Sequence, residues 1–402
     1  MARVSLRNAL LAATCLAVAC GGALRPAPSP APAAVAPAPD PEPAPPKPEL
    51  EEQLRQHAGL APLLERAPTY RMQVLVSVPA PSGGWLRRDG YRVDAEYFYP
   101  ASAIKLCQAV AALETVADLR ERGPSQLDAG AGFVSANKRR AGIASVANLV
   151  NAAIVMSDND ASNDLFDLAG SDGLHERMWR IGLSTVRVRH RLGVGPGDDA
   201  RSTPQITLLV GGVPVGIAPR EGRLALGKND DSGVRVGESH FAAGRLVEEP
   251  MSFEDKNRVS LRDLQELLVA VMRPELHDGA LPRLGAEERS VLVEALSALP
   301  SGRGAKASLD AEHKPLLAGI ERVAPRADLT IASKGGRAYG FVVENAYVAD
   351  KRSGRAFFLA VALYTNANGR LNDDLYEYRE VAFPALADLG EVVARSVFAP
   401  PN

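Results

Sequence analysis

The stretch Glu96-Tyr-Phe-Tyr-Pro-Ala-Ser102-Ala-Ile-Lys105-Leu-Cys-Gln-Ala-Val110 changes character at its proline. Ahead of Pro100 lies an extended aromatic run. Beyond it Ile104, Val110, Leu113 and Val116 are apolar at helical spacing, and a proline can stand just before a helix start. Ser102 is therefore expected in the first turn of a helix, near unpaired N–H groups able to hold a developing oxyanion. Lys105 lies one turn on, on the same face. A serine hydroxyl becomes a nucleophile once a base takes its proton, and a lysine can do so when burial and a second cation keep it neutral. Alone, the same four residues read more readily as an N-cap serine with a solvated lysine beyond.

Two further segments, Met156-Ser157-Asp158-Asn159-Asp-Ala-Ser-Asn163 and Ser333-Lys334-Gly335-Gly336 followed by Tyr339-Gly340-Phe341, give the first its context. In this order the three resemble the S-x-x-K, S-D-N and K-[TS]-G segments of class A β-lactamases and penicillin-binding serine hydrolases. The resemblance covers roughly Tyr70 to Arg395. Asp255-Lys-Asn257-Arg-Val-Ser260 and Asn372-Asp-Asp-Leu-Tyr-Glu-Tyr378 are similar to a less characterised branch of these hydrolases. The resemblance implies Ser102 as the acylated nucleophile and Lys105 as a base. It implies Ser157 as proton donor to the leaving nitrogen, Asn159 as a positioning group and Lys334 as the second cation. The backbone N–H groups of Ser102 and Arg337 would form the oxyanion hole, and Gly335 and Gly336 would line the substrate.

Two departures bear on the substrate. In class A enzymes an E-x-x-x-N loop after S-D-N supplies the glutamate that activates the deacylating water. Here Val186 to Pro204 stands in that place, and no glutamate precedes its Gly197-Asp198-Asp199-Ala-Arg-Ser-Thr-Pro204 tail. Asp198 or Asp199 could substitute only in a differently folded loop; otherwise they belong to a solvated turn. Gly335 replaces the hydroxyl residue that binds the substrate carboxylate in the family. One lost hydrogen bond to a charged group costs about 1.5–3 kcal/mol, which weakens recognition without abolishing it.

The fold class expected is α+β. Extended segments sit at both ends of the region beyond Leu50: Arg71–Val78, then Leu329–Ser333, Tyr339–Ala349 and Ala356–Tyr364. Helical patterns at Val146–Met156, Ala161–Leu168 and Leu261–Met272 lie between, the last behind a capping-box-like Ser260-x-x-Asp263, and Glu380–Ala394 closes the chain. These predict one largely antiparallel sheet built from both chain ends, a helical subdomain inserted in it, and a cleft between the two. Residues 205–250 read as an insertion, with a hairpin around Gly211-Gly212.

At the N-terminus Arg3 and Arg7 precede an apolar run from Ala9 to Ala19, too short to span a bilayer. Leu16-Ala-Val-Ala-Cys20 resembles a lipoprotein cleavage box, with an ordinary signal cut at Ala19 as the alternative and Cys15 a poorer match. Residues 1–19 are then a signal peptide, Cys20 the lipidation site, and 20–49 a tether with eleven prolines between Pro26 and Pro48. In polyproline conformation it reaches about 70–80 Å. Gly21 resembles the pattern of lipoproteins sent to an outer membrane, which points to a chain anchored by lipid and facing the periplasm. Of three cysteines only Cys107 would remain free in the domain, which leaves no internal disulfide.

Other classes find no support. Gly222-Arg-Leu-Ala-Leu-Gly-Lys228-Asn229 nearly matches a phosphate loop, but Asn229 stands where Ser or Thr should bind magnesium. The six histidines lack metal-ligand spacing, no cofactor is called for, and a net charge of −2 without a basic cluster argues against nucleic acid. The expectation is an exported serine hydrolase of residues 50–402 acting on a β-lactam or a related D-amino-acid amide or ester. A penicillin-binding, peptidase-like enzyme on peptidoglycan stems and a non-catalytic envelope-binding lipoprotein are the alternatives.

Overall fold

The structure is a computed structural model that describes residues 49–80, 83–135, 143–195 and 197–399. The signal segment, Cys20 and the proline tether up to Pro48 lie outside the described residues.

Both chain ends build the central sheet. Its strands run Leu329–Ser333, Phe341–Asp350, Ala356–Tyr364, Gln73–Pro79 and Leu86–Tyr91 in spatial order, with Gly336–Ala338 pairing on Phe341–Asp350, and every pairing is antiparallel. Phe341–Asp350 and Ala356–Tyr364 read as nearly continuous apolar runs because both faces of the sheet are covered. Alternate residues divide between the faces. Val74, Val76, Val342 and Val361 pack with the N-terminal helix Glu49–Gln56 and the closing helix Phe383–Phe398. Leu75, Val343, Phe358 and Ala360 face the inserted helices.

The centre of the helical part is Lys105–Arg122, buried at every residue from Lys105 to Ala117. A helix buried on every side is interior, and its polar Gln108 and Glu114 are met by the Ser162 hydroxyl and the Arg180 guanidinium. Its small residues Ala109, Ala111 and Ala112 let Asn159–Ala169 and Ser171–Arg180 pack closely. Leu261–Met272 forms as expected, with Ser260 Oγ accepting the Asp263 N–H. The box is only half closed, because the Asp263 carboxylate turns to the Thr185 hydroxyl and amide.

The expected hairpin is present as Ile206–Val210 against Val213–Ile217, and it extends through Gly132–Ser135 into a small sheet. Farther along the insertion, Ser239–Ala242 pairs in parallel with Arg370–Leu371 and Asn372 Nδ2 donates to the Phe241 carbonyl at 2.8 Å, tying the excursion to the C-terminal region. The near phosphate loop is a packing segment, its Asn229 amide donating to the Phe253 and Lys256 carbonyls.

Candidate active site

Tyr97, Tyr99, Phe253, Phe341 and Tyr339 form a continuous ring cluster below the start of the Ser102 helix. This explains the aromatic run before Pro100: it is a buried support that presents residues 101–105. Tyr97 is held by its hydroxyl to the Asn257 carbonyl at 2.8 Å. The helix then begins with a tight 3-10 turn, Ala101–Ile104, and continues as Lys105–Arg122. Ala101 has φ 47° and Ser157 φ 56°. Left-handed backbone at a non-glycine residue costs of order 1–3 kcal/mol and persists only where surrounding packing imposes it, commonly at functional sites.

Ser157 lies in the turn between helices Val146–Val155 and Asn159–Ala169, where Asp158 caps the second by accepting the Ala161 N–H at 2.8 Å. The turn brings three segments together. Lys105 Nζ donates to Asn159 Oδ1 at 2.8 Å, to Ser157 Oγ at 3.3 Å and to the Ser157 carbonyl. From the sheet edge Lys334 Nζ donates to the same Ser157 Oγ at 3.0 Å and to the Gly335 carbonyl at 2.9 Å. One hydroxyl thus bridges two lysines.

Both ammonium groups are weakened. Burial, with Lys334 adding to it, lowers Lys105 to about 6. Burial lowers Lys334 to about 7, with Lys314 and Arg337 adding to the effect and Glu344 opposing it. Lys105 is thus largely neutral near pH 7.

Ser102, Ser157, Asn159, Lys334, Gly335, Gly336 and Arg337 line one cleft of about 250 Å³, together with Glu312, His313, Glu344 and Phe383. Ser102 Oγ has no side-chain hydrogen bond among the described residues, and Lys105 is turned toward Ser157 and Asn159. Gly336 is required by contact: a Cβ there would overlap the Ser102 amide nitrogen and lie 2.7 Å from that of Ala103. The strand Gly336–Ala338 therefore runs directly across the first helical turn, with Gly336 against the Ser102 and Ala103 backbone.

The loop from Val186 to Pro204 is held by charge and amide clamps. Arg191 bonds Asp167 at 2.6 Å and Asp198 at 2.8 Å with its guanidinium almost wholly buried. Asn163 grips Leu192 both ways, donating to its carbonyl and accepting its N–H, each at 2.9 Å. Asn257 Oδ1 accepts from Arg189 N and His190 N. Asp198 is thus committed to Arg191, and Asp199 is exposed and pairs with Arg201. Neither lines the cleft.

Glu312, His313, Glu344 and Phe383 are among the lining residues that escaped the sequence reading. A charged residue within the apolar run Phe-Val-Val-Glu344-Asn-Ala-Tyr was a usable signal, because an acid in a two-face-buried strand needs a partner. Glu312 and His313 come from a chain segment without a local pattern, and Phe383 opens the closing helix, whose periodicity marks packing and not a cleft.

With this geometry in place, the chain matches the model of the Beta-lactamase enzyme family over residues 89–380. The chain belongs to that family. A β-lactamase from Burkholderia vietnamiensis is similar in fold at TM-score 0.50 and 15% identity, over 84% of this chain and 96% of that one. A β-lactamase from Sphaerobacter thermophilus DSM 20745 is similar at TM-score 0.50 and 18% identity, over 85% of this chain and 98% of that one. No curated protein matches the sequence. Membership of the β-lactamase family accounts for the α+β architecture and supports a serine hydrolase of β-lactamase or penicillin-binding type.

Proposed function

We propose that the protein forms an acyl-enzyme at Ser102, with Lys105 as the base of acylation. The observation that carries this reading is the Ser157 hydroxyl shared by two lysines whose ammonium forms are destabilised by burial. Neutral Lys105 accepts the Ser102 Oγ proton as the oxygen bonds to the substrate carbonyl carbon. The N–H groups of Ser102 and Arg337 hold the carbonyl oxygen as it becomes an anion. The carbon–nitrogen bond then breaks, and Ser157 relays a proton from the lysine pair to the leaving nitrogen. Lys105 must swing from Ser157 toward Ser102 for the first step, in keeping with the loose hydrogen bonds of free enzymes.

The substrate class is a β-lactam or a related D-amino-acid amide or ester, and a chain exported and anchored at Cys20 would meet such compounds in the cell envelope. A penicillin-binding type of outcome is favoured over rapid turnover because the loop carries no carboxylate into the cleft. Intact mass of residues 50–402 after incubation with a penicillin and a cephalosporin, beside Ser102→Ala, tests the reading. An adduct or hydrolysis that vanishes in the variant supports it. Equal behaviour of both proteins, or no reaction of either, rejects the β-lactam reading.

A further inference from the structure

Gly335 has a neighbour that explains its lack of a side chain. A Cβ at this position would overlap Glu344 Oε2 and stand 2.6 Å from the Val343 carbonyl oxygen. The acid from the adjacent strand fills the space at the cleft wall that a threonine or serine at 335 would use. Glu344 is 2% exposed, lines the cleft, and has one carboxyl oxygen, Oε1, without a hydrogen-bond partner among the described residues.

The charge around this wall is already matched. Glu344 interacts with Lys334 and with buried Lys314, which itself donates to the Leu296 carbonyl and to Ser333 Oγ. Burial pushes the Glu344 carboxyl up, while the two lysines and a Ser333 hydrogen bond pull it back. On the far lip the Arg337 guanidinium bonds Glu312 at 2.7 Å. The cationic side chains that line the cleft are thus each matched by an acid that also lines it. An incoming carboxylate would meet a wall acid, and no hydroxyl at 335 could receive it. A hydrogen-bond donor placed over Gly335 would instead meet the Glu344 carboxylate, whose Oε2 lies at that position.

Resting on the acyl-enzyme reading above, we propose that Glu344 is a specificity-determining residue. It selects substrates that place a neutral hydrogen-bond donor, such as a primary carboxamide, over Gly335 where related enzymes receive a carboxylate.

The test compares matched probes on the domain of residues 50–402: benzylpenicillin with its 3-carboxamide, and an acyl-D-alanyl depsipeptide ending in a free carboxylate or in a primary amide. Rates of Ser102 acylation are read by intact mass. The wild-type protein is expected to react about tenfold faster with the amides. In Glu344→Gln, which keeps the shape and removes the acid, this ratio should fall toward one or reverse.

Faster reaction of the wild-type protein with the carboxylates, or an amide preference that Glu344→Gln leaves unchanged, overturns the inference. The wild-type ratio decides the first point even if the variant folds poorly. Absence of any Ser102-dependent adduct with all four probes is a different outcome, and it overturns the acyl-enzyme reading together with the subsite built on it.

Discussion

The Ser102 cleft and the 186–204 loop beside it are both rich in buried charge, and they use it in opposite ways. In the loop, Arg191 is shared between Asp167 and Asp198, so attraction offsets the cost of burial and the groups are held fixed. In the cleft, two lysines converge on one serine hydroxyl, and both lose basicity. Paired charge gives rigidity, whereas burial, with a second cation near Lys105, gives a reactive amine. On the proposed acyl-enzyme reading, this difference equips the protein for the first half of acyl transfer and poorly for the second.

Substitutions that attack the cleft should have the largest effects. Lys105→Ala is expected to slow acylation by about 10²–10⁴-fold, measured as the rate of adduct formation. The wild-type rate should rise with pH and level off above about 6, because only the neutral amine accepts a proton and burial holds Lys105 at that value. A rise continuing toward pH 10 would mean that the base titrates like a solvated lysine, and would overturn the claim that burial keeps Lys105 neutral near pH 7. Gly336→Ala pushes a methyl into the Ser102 backbone, and displacement of about 1 Å at that point should cost about 10²-fold in acylation.

Substitutions in the loop should act on stability before chemistry. Arg191→Met removes the buried guanidinium that Asp167 and Asp198 share and is expected to cost about 3–5 kcal/mol in urea unfolding. Asp198→Asn removes one arm of this clamp and should cost about 1–3 kcal/mol. Its decay rate of any Ser102 adduct should stay within about twofold of wild type. A tenfold slower decay would make Asp198 a deacylating base and erase the contrast between the two regions. The smallest effect is expected for Asp199→Asn, whose exposed pair with Arg201 contributes about 0–1 kcal/mol.

The fold was legible where burial imposes a period. Ala356–Tyr364 and Leu329–Ser333 begin and end where the sequence places them, since an apolar run bounded by polar residues leaves little choice. Leu86–Tyr91, with the sequence Leu-Arg-Arg-Asp-Gly-Tyr, was missed because it is the edge strand of the sheet. Its arginines face solvent, and only pairing with Gln73–Pro79 makes it a strand. The closing helix starts three residues later than expected, at Phe383, because Tyr378–Ala382 forms a wider π-type turn first.

The site divides in the same way. Ser102 and Lys105 are joined by one helical turn, and Ser157 and Asn159 by one interhelical turn, so short-range geometry made both pairs readable from sequence alone. The sequence also determined the sheet built from both chain ends, the glycine at 335 and the missing loop glutamate. Only tertiary structure decided that Lys334 shares the Ser157 hydroxyl with Lys105, because the two lysines are 229 positions apart and meet through the packing of sheet on helices. It also decided that Glu344 fills the space beside Gly335. That contact depends on the register of two antiparallel strands, in which Gly336 opposes Val343, and strand register is set by the whole sheet rather than by either segment.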